Sequence, residues 1–295
     1  MSKLLIEEGA DLTLCDNNNS TALHYAINKE LEEIAVLLID KMKDINVKDD
    51  DQMSPLHITT VQGNKNLIKK LVYKNANLTA LNDEGLNPIQ IAALYGNLKM
   101  VKWLITEKGL DVNARNSFGN SPLHLAVRGG HNEVVIYLLE NEANINQTNN
   151  DDFNPAHFTA QGGNLDFFKF ALEKDISQIN YVDKNGKTAL HLAAEKGREY
   201  IVNDLIERAT IEINLKDSYN SRPLDLAVLN DKLRIAEVLL EKIVAGNSHT
   251  YSGHKNYLFD VAAKQGFEDI VKTLTKNIDK KKEWKKLWKE KEWTP

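Results

Sequence analysis

The chain has 295 residues, 42% of them hydrophobic and 27% charged, with 15 Gly and 6 Pro, a balance that excludes collagen-like and largely disordered chains. The net charge of -5 argues against a nucleic-acid protein, and no apolar run approaches the roughly 18 residues needed to cross a bilayer. A single cysteine, Cys15, leaves no internal disulfide framework and no cysteine-based zinc cluster, so a reducing, cytoplasmic setting is expected.

From the first residues onward the chain is periodic. Leu4-Leu-Ile-Glu-Glu-Gly-Ala-Asp-Leu has the pattern that recurs as the second half of each later unit. It is expected to be part of a unit whose first helix is missing, and a truncated frame or a fragment of a longer array is the favoured explanation. A four-residue motif then repeats without gaps: Thr21-Ala-Leu-His24, Ser54-Pro-Leu-His57, Asn87-Pro-Ile-Gln90, Ser121-Pro-Leu-His124, Asn154-Pro-Ala-His157, Thr188-Ala-Leu-His191 and Arg222-Pro-Leu-Asp225. The spacing is 33 or 34 residues throughout, and a weaker copy, Tyr257-Leu-Phe-Asp260, follows.

One unit shows the physics. Ser121 is placed to cap a helix, and Pro122 suits its first turn, where a missing N–H costs nothing. Leu123, Leu125, Ala126 and Val127 give a short apolar helix that Gly129 and Gly130 end. Val134, Val135, Leu138 and Leu139 form the stripe of a second helix. Neither helix is long enough to be stable alone, so each pair must bury its stripe against the next. The stretch between pairs, such as Asp111 to Gly119, reads as a projecting β-turn finger. Gly85, Gly119 and Gly186 supply the positive φ it needs, with Asn19, Asp152 and Asn220 as tolerable substitutes. Gln52 is a poor one, so the finger at Asp49–Met53 is expected to be irregular.

The motif, together with Gly-Gly-His131-Asn-Glu-Val-Val-Ile-Tyr-Leu-Leu and Ala143-Asn-Ile-Asn146, resembles the ankyrin repeat, whose signature is T-P-L-H-x-A on a period of 33. The resemblance covers about residues 1–275, in about eight units with the first partial and the last degenerate. It implies an all-α solenoid of helix-turn-helix pairs with β-turn fingers. It also implies a monomeric, non-catalytic scaffold or adaptor that binds a partner protein on its concave finger and first-helix side, without cofactor or metal.

The residues themselves agree with that expectation. His24, His57, His124, His157 and His191 sit one repeat apart, on the order of 8–10 Å, whereas zinc needs donors ~2 Å from the ion. Each imidazole is therefore expected to hydrogen-bond the turn and tie neighbouring repeats, with Gln90 doing the same. Asp225 and Asp260 can only accept, which predicts weaker stacking of the last units. Asp49-Asp-Asp51 lacks the Gly and distal Glu of a calcium loop and reads as a solvated turn. Cys15 has no basic neighbour to activate it and reads as buried or idle. No nucleophile–base motif, phosphate-cradling loop or H-E-x-x-H is present.

Binding is expected where units differ without stacking needs. The finger tips read Asn18, Asp51, Glu84, Phe118, Asp151, Asn185 and Tyr219, two aromatics in a polar series. Leu94, Tyr95 and Arg128 at the first-helix exits and Phe153 beside the fifth finger extend the patch. The alternative is that Phe118 and Phe153 fold back onto neighbouring fingers.

Residues 276–295 form a basic, Trp/Lys-rich tail. From Lys272 on, the net charge is +5, leaving -10 for everything before it. Trp284, Leu287 and Trp288 fall on one helical stripe, and Trp293 follows. The tail either caps the final repeat or lies on an anionic membrane or in a partner's groove. A peripheral adaptor targeted by this tail, and the recognition fragment of a larger enzyme or toxin, are therefore alternatives to the plain scaffold. The richness in Asn, Lys and Ile suits an AT-rich genome. That composition points to a symbiont or pathogen effector acting in a host cytoplasm.

Overall fold

The computed structural model describes residues 2–174, 179–245 and 271. These residues form fifteen α-helices and no strand beyond an isolated bridge between Cys15 and Thr21. The chain divides into two compact units, residues 1–155 and 156–295.

In the first unit, α1 (Ser2–Glu7) stands where a second helix belongs, and four complete pairs follow. They are α2 (Ala22–Asn28) with α3 (Glu32–Lys41), α4 (Pro55–Gln62) with α5 (Lys65–Tyr73), α6 (Pro88–Leu94) with α7 (Leu98–Thr106), and α8 (Pro122–Gly129) with α9 (Asn132–Glu140). First helices pack in series, α2 on α4 on α6 on α8, while α1 packs on α3, α3 on α5, and α7 on α9. The second unit holds α10 (Pro155–Gly162), α11 (Leu165–Lys174), α12 (Ala189–Lys196), α13 (Glu199–Ile206), α14 (Pro223–Leu229) and α15 (Leu233–Ala245). There α12 packs on α14, and α13 packs on both α11 and α15. Leu23, Leu38, Leu56, Leu71, Ile89, Leu104, Leu123 and Leu138 are all buried in the core of the first unit.

The motif works as a reciprocal cap. Ser54 Oγ accepts from the His57 amide, while His57 Nδ1 accepts from the Ser54 amide at 3.0 Å. The histidine thus stands where the usual capping box has Glu or Gln. Because Nδ1 accepts a backbone N–H, the proton belongs on Nε2, which donates to Ala80 O at 2.9 Å. His24 ties to Met53 O, His157 to Lys187 O and His191 to Ser221 O in the same way, each at 3.2 Å. Gln90 Nε2 reaches both Ala114 O and Asn120 O, at 3.0 and 3.2 Å. Asp225 accepts from the Arg222 amide at 2.8 Å and has no proton to pass on. The weaker copy at Tyr257–Asp260, against which that deficit was expected to tell, lies outside the described residues, as does the tail with Trp284, Leu287, Trp288 and Trp293.

The seven described fingers share one turn, with positive φ at Asn19, Gln52, Gly85, Gly119, Asp152, Gly186 and Asn220. The finger at Gln52 corrects the expectation of irregularity. Asp49 N donates to Met53 O at 3.1 Å and Gln52 N to Asp49 O at 3.0 Å, matching Asn82 N to Leu86 O and Gly85 N to Asn82 O. Gln52 simply accepts φ 56°, and its exposed side chain meets no wall. Gly130 is left-handed as expected, with φ 74°, whereas Gly129 is still the last residue of α8. Cys15 is exposed, with Sγ 3.5 Å from Thr13 O, so of the two readings, buried or idle, the buried one falls.

Candidate recognition surface

Each finger is anchored by an Asx residue that lies outside the four-residue motif. Asp16, Asp49, Asn82, Asn116, Asn149, Asp183 and Asp217 recur on the same 33–34 residue spacing, which was the available signal. Their carboxylate or amide oxygens accept turn amides: Asn116 from Phe118 and Asn120, Asn149 from Asp151 and Phe153, Asp217 from Tyr219 and Ser221. Such Asx turns hold the tip in place without any contact from the tip side chain. The fingers are also stitched to one another, Asp50 N to Asn18 O, Asp83 N to Asp51 O and Asn150 N to Phe118 O, at 2.9–3.1 Å. The tips are thus preorganised.

Leu94 ends α6 and Tyr95 caps it. His131 Nε2 donates to Leu94 O at 2.9 Å, and a side chain on Gly129 would meet that same carbonyl at 2.6 Å. The next repeat therefore satisfies the open end of α6 and fixes where Leu94 sits. Leu94 and Val61 pack, half-buried, against a core cluster of Leu86, Ile91 and Leu125. Tyr95 is 56% exposed beside them.

Between the second and third fingers and these helices lies a cleft of about 360 Å³, lined by Asp51, Met53, Val61, Asn82, Asp83, Glu84, Leu86, Ile91, Leu94 and Tyr95. Its apolar side comes from the half-buried Met53, Val61 and Leu94, with Leu86 and Ile91 buried beneath them, and its finger edge is acidic. Phe118 projects from the fourth finger, 59% exposed, while Phe153 is half-buried and Arg128 is exposed in the last turn of α8. Of the residues chosen from sequence, the cleft brings together Leu94 and Tyr95 only. Phe118, Arg128 and Phe153 belong to the same unit but are not among its walls. Tyr219 is 75% exposed on a finger of the second unit. Met53 and Val61 went unnoticed because apolar residues of a repeat read as core whether or not a groove opens above them.

The buried histidines are electrostatically quiet. Burial is the leading cause that holds all five below the ordinary imidazole value, with His124 and His157 brought to about 4. Among the described residues no cluster of three or more His, Cys, Asp or Glu is arranged to hold a metal, and no helix is long and apolar enough to cross a membrane.

Among the described residues, stacked helix pairs without strands, joined by Asx-anchored fingers, define an all-α repeat solenoid. The family model for ankyrin repeats (three copies) matches residues 1–82, 56–149 and 143–217. The chain belongs to the ankyrin repeat family. A human protein, BCL-6 corepressor-like protein 1, is 35% identical over 88 residues, covering 30% of this chain and 5% of that protein. The chain thus corresponds to a small part of this relative's length. Ankyrin repeats mediate protein–protein interaction and are typically non-catalytic modules.

Proposed function

We propose that this chain is a non-catalytic adaptor that holds a partner protein on the fingers and first helices of residues 1–155. The observation that carries the reading is the cleft beside Leu94 and Tyr95, where the half-buried Met53, Val61 and Leu94 and the exposed Tyr95 meet on a scaffold already fixed by caps and finger-to-finger hydrogen bonds. Preorganisation lowers the ordering cost of binding, and an exposed Tyr beside half-buried apolar side chains is the kind of anchor that dominates interface energies. Phe118 and Arg128 extend the contact along the array.

The test is affinity capture by the full chain against its Tyr95→Ala and Phe118→Ala/Arg128→Ala variants. Each should reduce recovery of the captured partner roughly tenfold, the scale of an interface anchor, with the helical circular dichroism spectrum unchanged. Equal recovery by all three chains would exclude this surface.

A further inference from the structure

The cleft differs from a plain apolar groove in the charge along one edge. Asp51, Asp83 and Glu84 are exposed on two consecutive fingers and share the cleft with the half-buried side chains of Met53, Val61 and Leu94. Ion pairs among the described residues lie elsewhere, at Lys3–Glu33, Lys70–Asp40, Lys74–Asp40, Lys169–Asp204, Lys187–Glu195, Lys196–Glu195, Arg208–Asp204, Arg234–Glu199, Arg234–Glu237 and Lys242–Glu207, and none engages these three carboxylates. Lys48, which leads into the second finger, donates to Leu81 O at 2.7 Å instead. Of the two neighbouring acids, Asp49 accepts from the Met53 amide and Asp50 from Asn19 Nδ2. The edge therefore carries negative charge that nothing on the same fingers is built to neutralise.

We infer that the cleft takes a lysine- or arginine-bearing segment of a partner protein, with one large apolar side chain seated against Met53, Val61 and Leu94 and its cationic neighbours against Asp51, Asp83 and Glu84. This rests on the adaptor reading above and assigns the chemistry of the partner to it. The volume suits such an occupant: about 360 Å³ is at the lower end for a ligand cleft and accepts one bulky side chain with adjoining backbone. Tyr95, 56% exposed at the mouth, offers a ring face that favours a passing cation over an anion. An acidic segment would place like charges together on the rim, which rejects it without any steric device.

The experiment titrates the full chain into three fluorescein-labelled peptides, read by polarisation. One carries Leu-Trp flanked by lysine pairs, one the same core flanked by glutamate pairs, and one Ala-Ala flanked by lysine pairs. Saturable binding of the first alone is expected. The Asp51→Asn/Asp83→Asn/Glu84→Gln variant should weaken it roughly tenfold, the combined effect of three exposed charge pairs, and added salt should weaken it as well. Leu94→Ala should weaken it without changing its salt dependence. Neutralising Glu32 and Glu33, exposed on α3 and outside the cleft walls, should leave it unchanged. Equal binding of the glutamate peptide, equal binding of the Ala-Ala peptide, or indifference to the triple variant overturns the assignment. If the peptides fail while Tyr95→Ala still abolishes partner capture, the adaptor reading stands and only the basic character of the partner falls.

Discussion

Gln52 and Gly85 occupy the same place in successive fingers and meet opposite constraints. Gln52 holds φ 56° with its side chain exposed, so only the left-handed conformation is costly. Gln52→Gly should raise stability by about 0.5 kcal/mol, the backbone gain being partly offset by the entropy glycine loses on folding. Gly85 has φ 68°, and a Cβ there would fall on Ser117 Oγ and lie 3.2 Å from Ser117 N in the next finger. Gly85→Ala should therefore lower stability by about 1–2 kcal/mol. Urea midpoints of the two variants check both signs. The sequence made the need for positive φ plain but not what surrounds it. Whether a finger packs on its neighbour at that atom depends on the following repeat, and local propensity carries no record of it.

At the scale of the helix pair, caps and stripes were legible because each is local. Ser121, Pro122 and His124 lie within four residues, and their hydrogen bonds close within that span. The seven-fold spacing then specified how pairs stack. The cleft was not legible in the same way, for its walls come from two fingers and two first helices, Met53 and Val61 from one repeat and Leu86 to Tyr95 from the next. Leu125 is 2% exposed and Leu94 half-buried, yet both are leucines of a first helix, and only the end position of Leu94 in α6 separates them. Energetically the stack remains a sum of neighbours. Leu123, fully buried in α8, should cost roughly 2–5 kcal/mol on truncation to Ala. Hydrogen exchange should show the loss concentrated in α6, which packs on α8, and in α9, the partner of α8 in its own pair.

Across the whole molecule the repeated histidine sets the response to acid. In the folded chain all five imidazoles are held neutral by burial, whereas the unfolded chain takes up protons from about pH 6.5 downward. Below that value the unfolded state binds more protons, so their contribution to stability is complete above about pH 6.5 and is lost as pH falls toward 4. For His124 and His157 the loss approaches roughly 3 kcal/mol each by about pH 4. Urea midpoints should fall steeply between about pH 6.5 and 4.5, and His124→Gln should flatten that slope. A flat profile in the wild-type chain would contradict the burial of these rings. The charge asymmetry between the body and residues 272–295 was equally plain in the composition. It does not reveal which fingers carry unpaired acid, because that follows from side-chain geometry rather than from totals.

Gln90 interrupts the histidine series within residues 1–155. Its amide makes the same crossing, to Ala114 and Asn120, with a group that has no proton to gain in this range. At the capping-box position the crossing from the third repeat to the fourth is therefore made by a group that does not titrate, alongside the His131 bond to Leu94 O. It is the crossing from which Leu94 and Tyr95 project. As the buried histidine clasps of the neighbouring repeats weaken, the two Gln90 hydrogen bonds beneath the recognition surface persist.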